Sequence, residues 1–215
     1  MITKVIGIIS WLPDDTTRKI RQKKLEELLI KCDSLFNLPV IIIAQDWDNT
    51  VSITPNCAVF SFNKLGITGA RKKLREKFLE SNYDYLIMLD DDCDLVGTKG
   101  DAQKYIEQIN NHPESVGIFK KMLLKLFAIS KTIMYQIEYE DINAEKGEGF
   151  EDMLFVEKCK KEFPDNYFIF ERYGLDDISN SGNDKYSTWW KGQYVKKEMG
   201  DKSREIINKN RGKNR

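Results

Sequence analysis

The chain has 215 residues, 41% of them apolar and 32% charged, enough to bury a substantial core and too apolar for global disorder. Lys plus Arg and Asp plus Glu both number 34, so no net field draws the chain to nucleic acid or a membrane surface, and electrostatic recognition has to come from local patches. Cys32, Cys57, Cys93 and Cys159 are widely spaced with no Cys-x-x-Cys pair, which excludes a zinc knuckle or disulfide framework and fits reduced thiols. With no signal-peptide pattern and no apolar run of about 18 residues, neither secretion nor membrane spanning is indicated, and a cytoplasmic location is expected.

In chain order, Lys4-Val5-Ile6-Gly7-Ile8-Ile9-Ser10 reads as a first strand buried on both faces, closed by Pro13 with Asp14 and Asp15 as helix-start signals. A helix follows to about Phe36, with apolar Ile20, Leu25, Leu28, Leu29, Cys32 and Leu35 at spacings of three and four. Its first turns carry Arg18, Lys19, Arg21, Lys23 and Lys24, read as a solvated face within reach of a ligand. Leu38 to Ala44 is a second strand, Cys57 to Phe62 a third, and Gly66 to Glu80 a helix. The fourth strand lies in Tyr83-Asp84-Tyr85-Leu86-Ile87-Met88-Leu89 and runs straight into Asp90-Asp91-Asp92-Cys93-Asp94. Adjacent carboxylates repel one another, so a rigid strand that delivers three of them implies a counter-cation or a catalytic use.

Beyond this point the segments are longer and less periodic. Lys99 to Asn111 is predicted as a helix ending before His112-Pro113, where His112 has a capping or surface role. Val116 to Glu140 should hold two or three strands, with Phe127 to Ser130 and Ile133 to Ile137 the clearest. A helix is expected over about Phe150 to Phe163 and a last strand over Tyr167 to Phe170. From Lys191 the tail has nine Lys or Arg against three Asp or Glu, so it is locally basic. The strand and helix order predicts an α/β fold with a mostly parallel central sheet flanked by helices. The expected division is one domain over residues 1–190, with a nucleotide-binding half (1–95), an acceptor half (96–190) and a basic extension over 191–215.

Four positions together resemble the nucleotide-sugar glycosyltransferases of the GT-A (Rossmann-like) fold. These are Ser10-Trp11 at the end of the first strand, Gln45-Asp46 at the end of the second, Gly66-Ile67-Thr68-Gly69-Ala70-Arg71 ahead of the fourth, and the Asp-x-Asp of Asp90 to Asp92. Gly149-Phe150-Glu151-Asp152 adds the acidic pair that opens an acceptor-side helix. The resemblance spans about residues 4 to 165. It implies a hexosyl transfer from a nucleoside-diphosphate sugar, a UDP-sugar first, with Mn²⁺ or Mg²⁺ against the diphosphate. Ser10, Trp11, Asp46, Gly66, Arg71, Asp90 and Asp91 would contact the donor, with Asp91 a candidate for the ribose. Asp90 and Asp92 would frame the metal, since alternate residues of a strand share a side. Asp152, or Glu151 in its place, would be the base of an inverting enzyme. The family often takes a further metal ligand, commonly His, from a C-terminal loop; this chain has no His there, and Asp184 or Asn183 stands in its place.

For the acceptor, Gly7 to Pro13, Leu65-Gly66-Ile67 and Leu74 to Leu79 look like phage-type enzymes that glycosylate hydroxymethylated pyrimidines in DNA. Local cations at Lys120, Lys121, Lys125 and the tail fit phosphate contacts, and Trp189 or Trp190 could prop the gap left by a flipped base. A phage enzyme would act in the bacterial host cytoplasm. A transferase acting on bacterial surface polysaccharide or another glycan is the alternative acceptor reading. From other classes, Asp92-Cys93-Asp94-Leu95 mimics a haloacid-dehalogenase phosphohydrolase motif, and a non-catalytic metal-dependent binding module also fits. An EF-hand does not, because Leu95 stands where that loop needs Gly and a strand precedes it.

Overall fold

The computed structural model describes residues 2–12, 18–47, 51, 53–63, 65–119, 126–140, 151–171 and 173–177. The elements in order are β1 (Lys4–Trp11), α1 (Arg18–Phe36), β2 (Val40–Gln45), β3 (Cys57–Phe62), α2 (Gly66–Glu80), β4 (Tyr85–Asp90) and β5 (Leu95–Val96). Then come α3 (Lys99–Asn111), β6 (Val116–Phe119), β7 (Leu126–Ser130), α4 (Lys131–Gln136), α5 (Glu151–Glu162), β8 (Tyr167–Phe170) and β9 (Asp176–Asp177). Seven strands form one sheet in the order β3-β2-β1-β4-β7-β6-β8. β7 is antiparallel to both β4 and β6, and the remaining pairings are parallel. The expected α/β fold with a mostly parallel sheet is what the chain adopts.

Alternation along the strands sorts the apolar residues into two layers. Ile6, Ile8, Ile42, Ile87 and Leu89 bury against Leu25, Leu28, Leu29 and Cys32 of α1 and Ala102, Tyr105 and Ile109 of α3. The opposite parity, Val5, Ile9, Ile41, Ile43, Leu86 and Met88, buries against Ala70, Leu74 and Phe78 of α2, with α4 and α5 continuing that layer. The sheet is therefore covered on both faces, which is why β1 and β2 read as unbroken apolar runs. Among the described residues no helix is long and apolar enough to cross a membrane.

Helix α3 starts at a capping box, in which the Thr98 side chain accepts from the Asp101 backbone and Asp101 accepts from that of Thr98. It ends at His112, whose ring Nδ1 sits 2.8 Å from the Gln108 carbonyl and whose ring packs on Phe168 and Phe170. His112 is thus a structural cap.

One element departs from the sequence reading. Ile133 to Ile137 is not a strand, because Lys131–Gln136 is helical and Ile137 follows as its C-cap. The Ser130 hydroxyl accepts from the Ile133 backbone and caps the helix at its start. Ile133 and Ile137 are four apart, a spacing that fits one helix face as well as a β-branched strand; the cap decides between them. Arg75 closes the other end, donating Nε to the carbonyls of Met134 and Ile137 and Nη2 to that of Tyr135. The short pairing of β5 with β9, Leu95 opposite Asp177, has no sequence signal of its own.

Gly117 of β6 lies under the Phe170 ring, and a Cβ added there would stand 2.1 Å from a ring carbon. Gly117→Ala is expected to lower the unfolding free energy by about 1–3 kcal/mol in urea titration. Adding Phe170→Leu should restore part of that loss.

Candidate functional site

Because β1, β2 and β4 run parallel, their carboxyl ends open on one edge of the sheet, where open α/β sheets bind ligands. Ile9 pairs with Asp90, Ser10 with Ala44 and Trp11 with Gln45. That register brings Ser10-Trp11, Gln45-Asp46 and the acidic turn together.

β4 ends at Asp90, and the chain then turns sharply, with the Cys93 amide donating to the Asp90 carbonyl at 3.2 Å. Asp91 and Asp92 are the two middle residues of that turn. Strand alternation therefore stops at Asp90 and does not place Asp90 and Asp92 on one side; the turn presents the three carboxylates instead. Arg71 of α2, with its side chain 2% exposed, reaches Asp90 through Nη2 at 3.3 Å. Buried, a guanidinium needs a carboxylate partner, and Asp90 supplies one for Arg71. Lys31 of α1 pairs with Asp94 at the far end of the turn.

Asp91 is the most perturbed carboxyl of the group, with its pKa raised to about 6. Burial is the largest cause, followed by repulsion from Asp92, and Asp90 adds a little more; the Arg21 charge and the Ser10 hydroxyl oppose the rise. Ser10 is 1% exposed and its Oγ lacks a hydrogen bond of good geometry, yet it faces Asp91 closely enough to favour the ionised carboxyl. A buried hydroxyl left in that condition marks a place where a polar partner would be gained.

At the neighbouring strand ends, the Trp11 indole Nε1 donates to Asp46 Oδ2 at 2.8 Å. Asp46 has a positive φ of 56°, a conformation that costs a residue other than glycine and is held by its surroundings. Arg18 donates Nη1 to the carbonyls of Leu12 and Asp46, at 2.7 and 3.2 Å. Arg21 donates to the Trp11 carbonyl at 3.2 Å and lies over the indole, 5.9 Å from its centroid. Gln45 Oε1 accepts from the Leu65 amide at 2.8 Å and so anchors the start of α2. Gly66 follows with φ 70°; this backbone need accounts for the glycine, and the residue stands at the sheet edge as α2 begins.

The structure thus gathers Ser10, Trp11, Asp46, Asp90, Asp91 and Asp92 at one edge, with Arg71 behind Asp90. Glu151 and Asp152 open α5, though their side chains lie outside the described residues. Asp184, Asn183, Lys120, Lys121, Lys125, Trp189, Trp190 and the basic tail also lie outside them. Arg18 and Arg21, read from the sequence as a solvated face within reach of a ligand, and Gln45, quoted there only beside Asp46, also stand at this edge. Arg18 and Arg21 are three apart on α1, the spacing of one helix face, and that periodicity was the available signal. Among the described residues, no group of three or more His, Cys, Asp or Glu side chains is placed as a metal cage. The turn instead suits a hard cation of the Mg²⁺ type, which takes one or two carboxylates and completes its shell with phosphate and water.

No protein-family model and no curated protein matches the sequence. Solved structures do match the fold. A proposed nucleotide-diphospho-sugar transferase from Desulfovibrio desulfuricans G20 superposes with a TM-score of 0.54 at 14% identity, covering 95% of this chain and 98% of that one. A cytidylyltransferase from Leptospira borgpetersenii gives 0.55 at 12% identity over 99% and 96%. A CMP:2-keto-3-deoxy-manno-octonic acid synthetase bound to CTP gives 0.53 at 9% over 79% and 89%. At these identities the likeness establishes the fold alone, an α/β sheet shared with these structures.

A carboxyl with a raised pKa favours folding while it is protonated and loses that advantage once it must ionise. In metal-free protein the contribution of Asp91 should therefore fall as pH climbs from about 4 through 6. Asp91→Asn is expected to be more stable than the parent by about 1–3 kcal/mol at pH 7 and equal to it near pH 4. Melting curves across that range check the sign.

Proposed function

We propose that this chain is a metal-dependent glycosyltransferase that binds a nucleoside-diphosphate sugar at the carboxyl edge of β1, β2 and β4 and moves the sugar to a hydroxyl acceptor. The observation that carries the reading is the aspartate turn, braced by Arg71, beside the buried Ser10 hydroxyl. In such transfers the diphosphate leaves with its negative charge, and a divalent cation held at this turn would neutralise it. Asp90 and Asp92 would hold that ion, with Asp184 a candidate further ligand, and the bound ion supplies Lewis-acid stabilisation of the diphosphate. Ser10, Trp11 and Asp46 are assigned to the nucleoside, with Gly66 at the same edge, and Asp91 to the ribose. Asp152, with Glu151 as the alternative, is assigned the proton of the acceptor hydroxyl. Among donors a UDP-sugar is favoured by the family resemblance. Among acceptors, a hydroxymethylated pyrimidine of phage DNA is favoured over a glycan on the same basis.

A second reading, nucleotidyl transfer, draws support from Arg18 and Arg21 at the same edge and from the cytidylyltransferases that share the fold. The segment after β1 weighs against it. Residues 11–18 contain no glycine and include Asp14 and Asp15, whereas a nucleoside triphosphate is commonly cradled by backbone amides of a glycine-rich loop.

The deciding experiment incubates the chain with Mn²⁺ and a panel of nucleotide sugars, with hydroxymethylcytosine DNA or simple glycosides as acceptors, and reads transfer by mass. In parallel, CTP and TTP are offered with sugar 1-phosphates and pyrophosphate is measured. Nucleoside diphosphate released with a glycosylated product supports the proposal; pyrophosphate release supports the second reading. Phosphate-ester cleavage without nucleotide binding would return the phosphohydrolase reading, and binding without turnover the non-catalytic module.

Two variants separate the roles. Asp92→Ala should lose Mn²⁺-dependent donor binding by calorimetry. Asp152→Asn should bind donor normally while transfer falls by about 10²-fold or more.

A further inference from the structure

The aspartate turn and the start of α5 come from distant parts of the chain, and for transfer they must stand at a fixed separation. Tyr139 touches the elements that carry both. It is 2% exposed. Its hydroxyl donates to Met88 Sδ at 3.2 Å, and Met88 lies on β4 two residues before Asp90. Its ring stacks on Phe155 of α5, with centroids 4.1 Å apart and planes 15° from parallel. Phe155 follows Glu151 by four residues and Asp152 by three, one helical turn.

Tyr139 is held in turn by Arg75. The guanidinium gathers the carbonyls of Met134, Tyr135 and Ile137, a positive charge at the negative end of α4. That contact fixes the backbone at Ile137, two residues before Tyr139, and Arg75 also pairs with the side chain of the intervening Glu138 at 3.8 Å. Arg75 is one turn along α2 from Arg71, which holds Asp90. One helix therefore braces the donor turn with one arginine and the approach to α5 with the next.

The geometry points to Tyr139, held by Arg75, as the positioning residue that sets the distance between the aspartate turn and the first turn of α5. Its consequence for transfer rests on the glycosyltransferase reading; the structural strut itself does not. Misplacing reacting groups by about 1 Å can cost 10²-fold in rate, so a strut of this kind acts on kcat of transfer and leaves donor binding alone.

The test combines two readouts on Tyr139→Leu, Tyr139→Phe and Arg75→Gln. The first needs no substrate: amide hydrogen exchange by mass spectrometry in peptides from α5 and from β4. Tyr139→Leu and Arg75→Gln should speed exchange over residues 154–162 and leave residues 86–90 as in the parent, while Tyr139→Phe, which keeps the ring on Phe155 and loses only the hydroxyl contact to Met88, should leave exchange in α5 as in the parent. The second readout is transfer against donor binding. Tyr139→Leu and Arg75→Gln should bind the nucleotide sugar and release nucleotide by slow hydrolysis as the parent does, with transfer reduced about tenfold or more, and Tyr139→Phe, which keeps the stack on Phe155 and loses the Met88 contact, should fall between them and the parent.

Unchanged exchange in α5 of folded Tyr139→Leu and Arg75→Gln would overturn the strut, as would donor binding and transfer falling together. Should Tyr139→Leu not fold, Arg75→Gln and Tyr139→Phe still decide through exchange. If the parent binds no nucleotide sugar, the exchange result still stands or falls alone, and it is the functional reading that fails.

Discussion

Like charges at the end of a buried strand set the terms for everything around them. Asp90, Asp91 and Asp92 are delivered by β4, whose preceding residues are fully packed on both faces, so the group cannot drift into solvent as an acidic loop would. The molecule compensates the charge from two sides. Arg71 comes from α2 beneath one face of the sheet, and Arg21 from α1 above the other. The arginine behind Asp90 is buried, and a buried charge stripped of its partner costs far more than the pair contributes when intact. The turn and its cation are therefore one unit, and α2 must sit where it does for the turn to exist.

That coupling explains the care with which α2 is placed. It begins at a glycine with positive φ, its approach is anchored by a glutamine from the end of β2, and its inner face is sealed by Ala70, Leu74 and Phe78. Arg71 and Arg75, four apart, then project toward two different regions. The site is built less from loops than from strand ends and one rigid helix, which suits a function in which groups must be held at fixed distances.

Much of this was legible in the sequence. Gly66–Glu80, Lys99–Asn111, Cys57–Phe62 and Tyr167–Phe170 are read with the bounds they have, because apolar periodicity, Gly and Pro punctuation and the capping residues all agree there. The convergence of Ser10-Trp11, Asp46 and the acidic turn follows from parallel strands alone. Two kinds of feature were not legible. Ile133–Ile137 carries a composition suited to a strand and a spacing suited to a helix, and only the Ser130 cap and the distant Arg75 settle it. Arg18 and Arg21 sit in a run of cations whose composition says solvated face, and it takes the position of α1 against the ends of β1 and β2 to turn two of them inward. Long-range pairing decides both cases, and local sequence does not encode it.

The reversed strand β7 divides the sheet, and in the proposed reading it is where donor and acceptor sides part. To one side of it β4, β1, β2 and β3 run parallel, and their shared edge carries Ser10, Trp11, Asp46 and Asp90. To the other, β6 and β8 run parallel to each other. A strand reversed at this place cannot extend the row of carboxyl ends beside Asp90; it brings its amino end to that edge instead and its carboxyl end to the opposite one. From there α4 begins at Ser130, and the chain returns through Ile137 and Tyr139 along the α2 side. The glycosyltransferase proposal needs the acceptor to approach from a direction the donor does not occupy, and under it the reversal would provide one by sending the chain back over a single face. The residue that meets β4 and α5 on that return is Tyr139, so the proposed separation of the two sides would rest on packing behind the site and not on the carboxylates themselves.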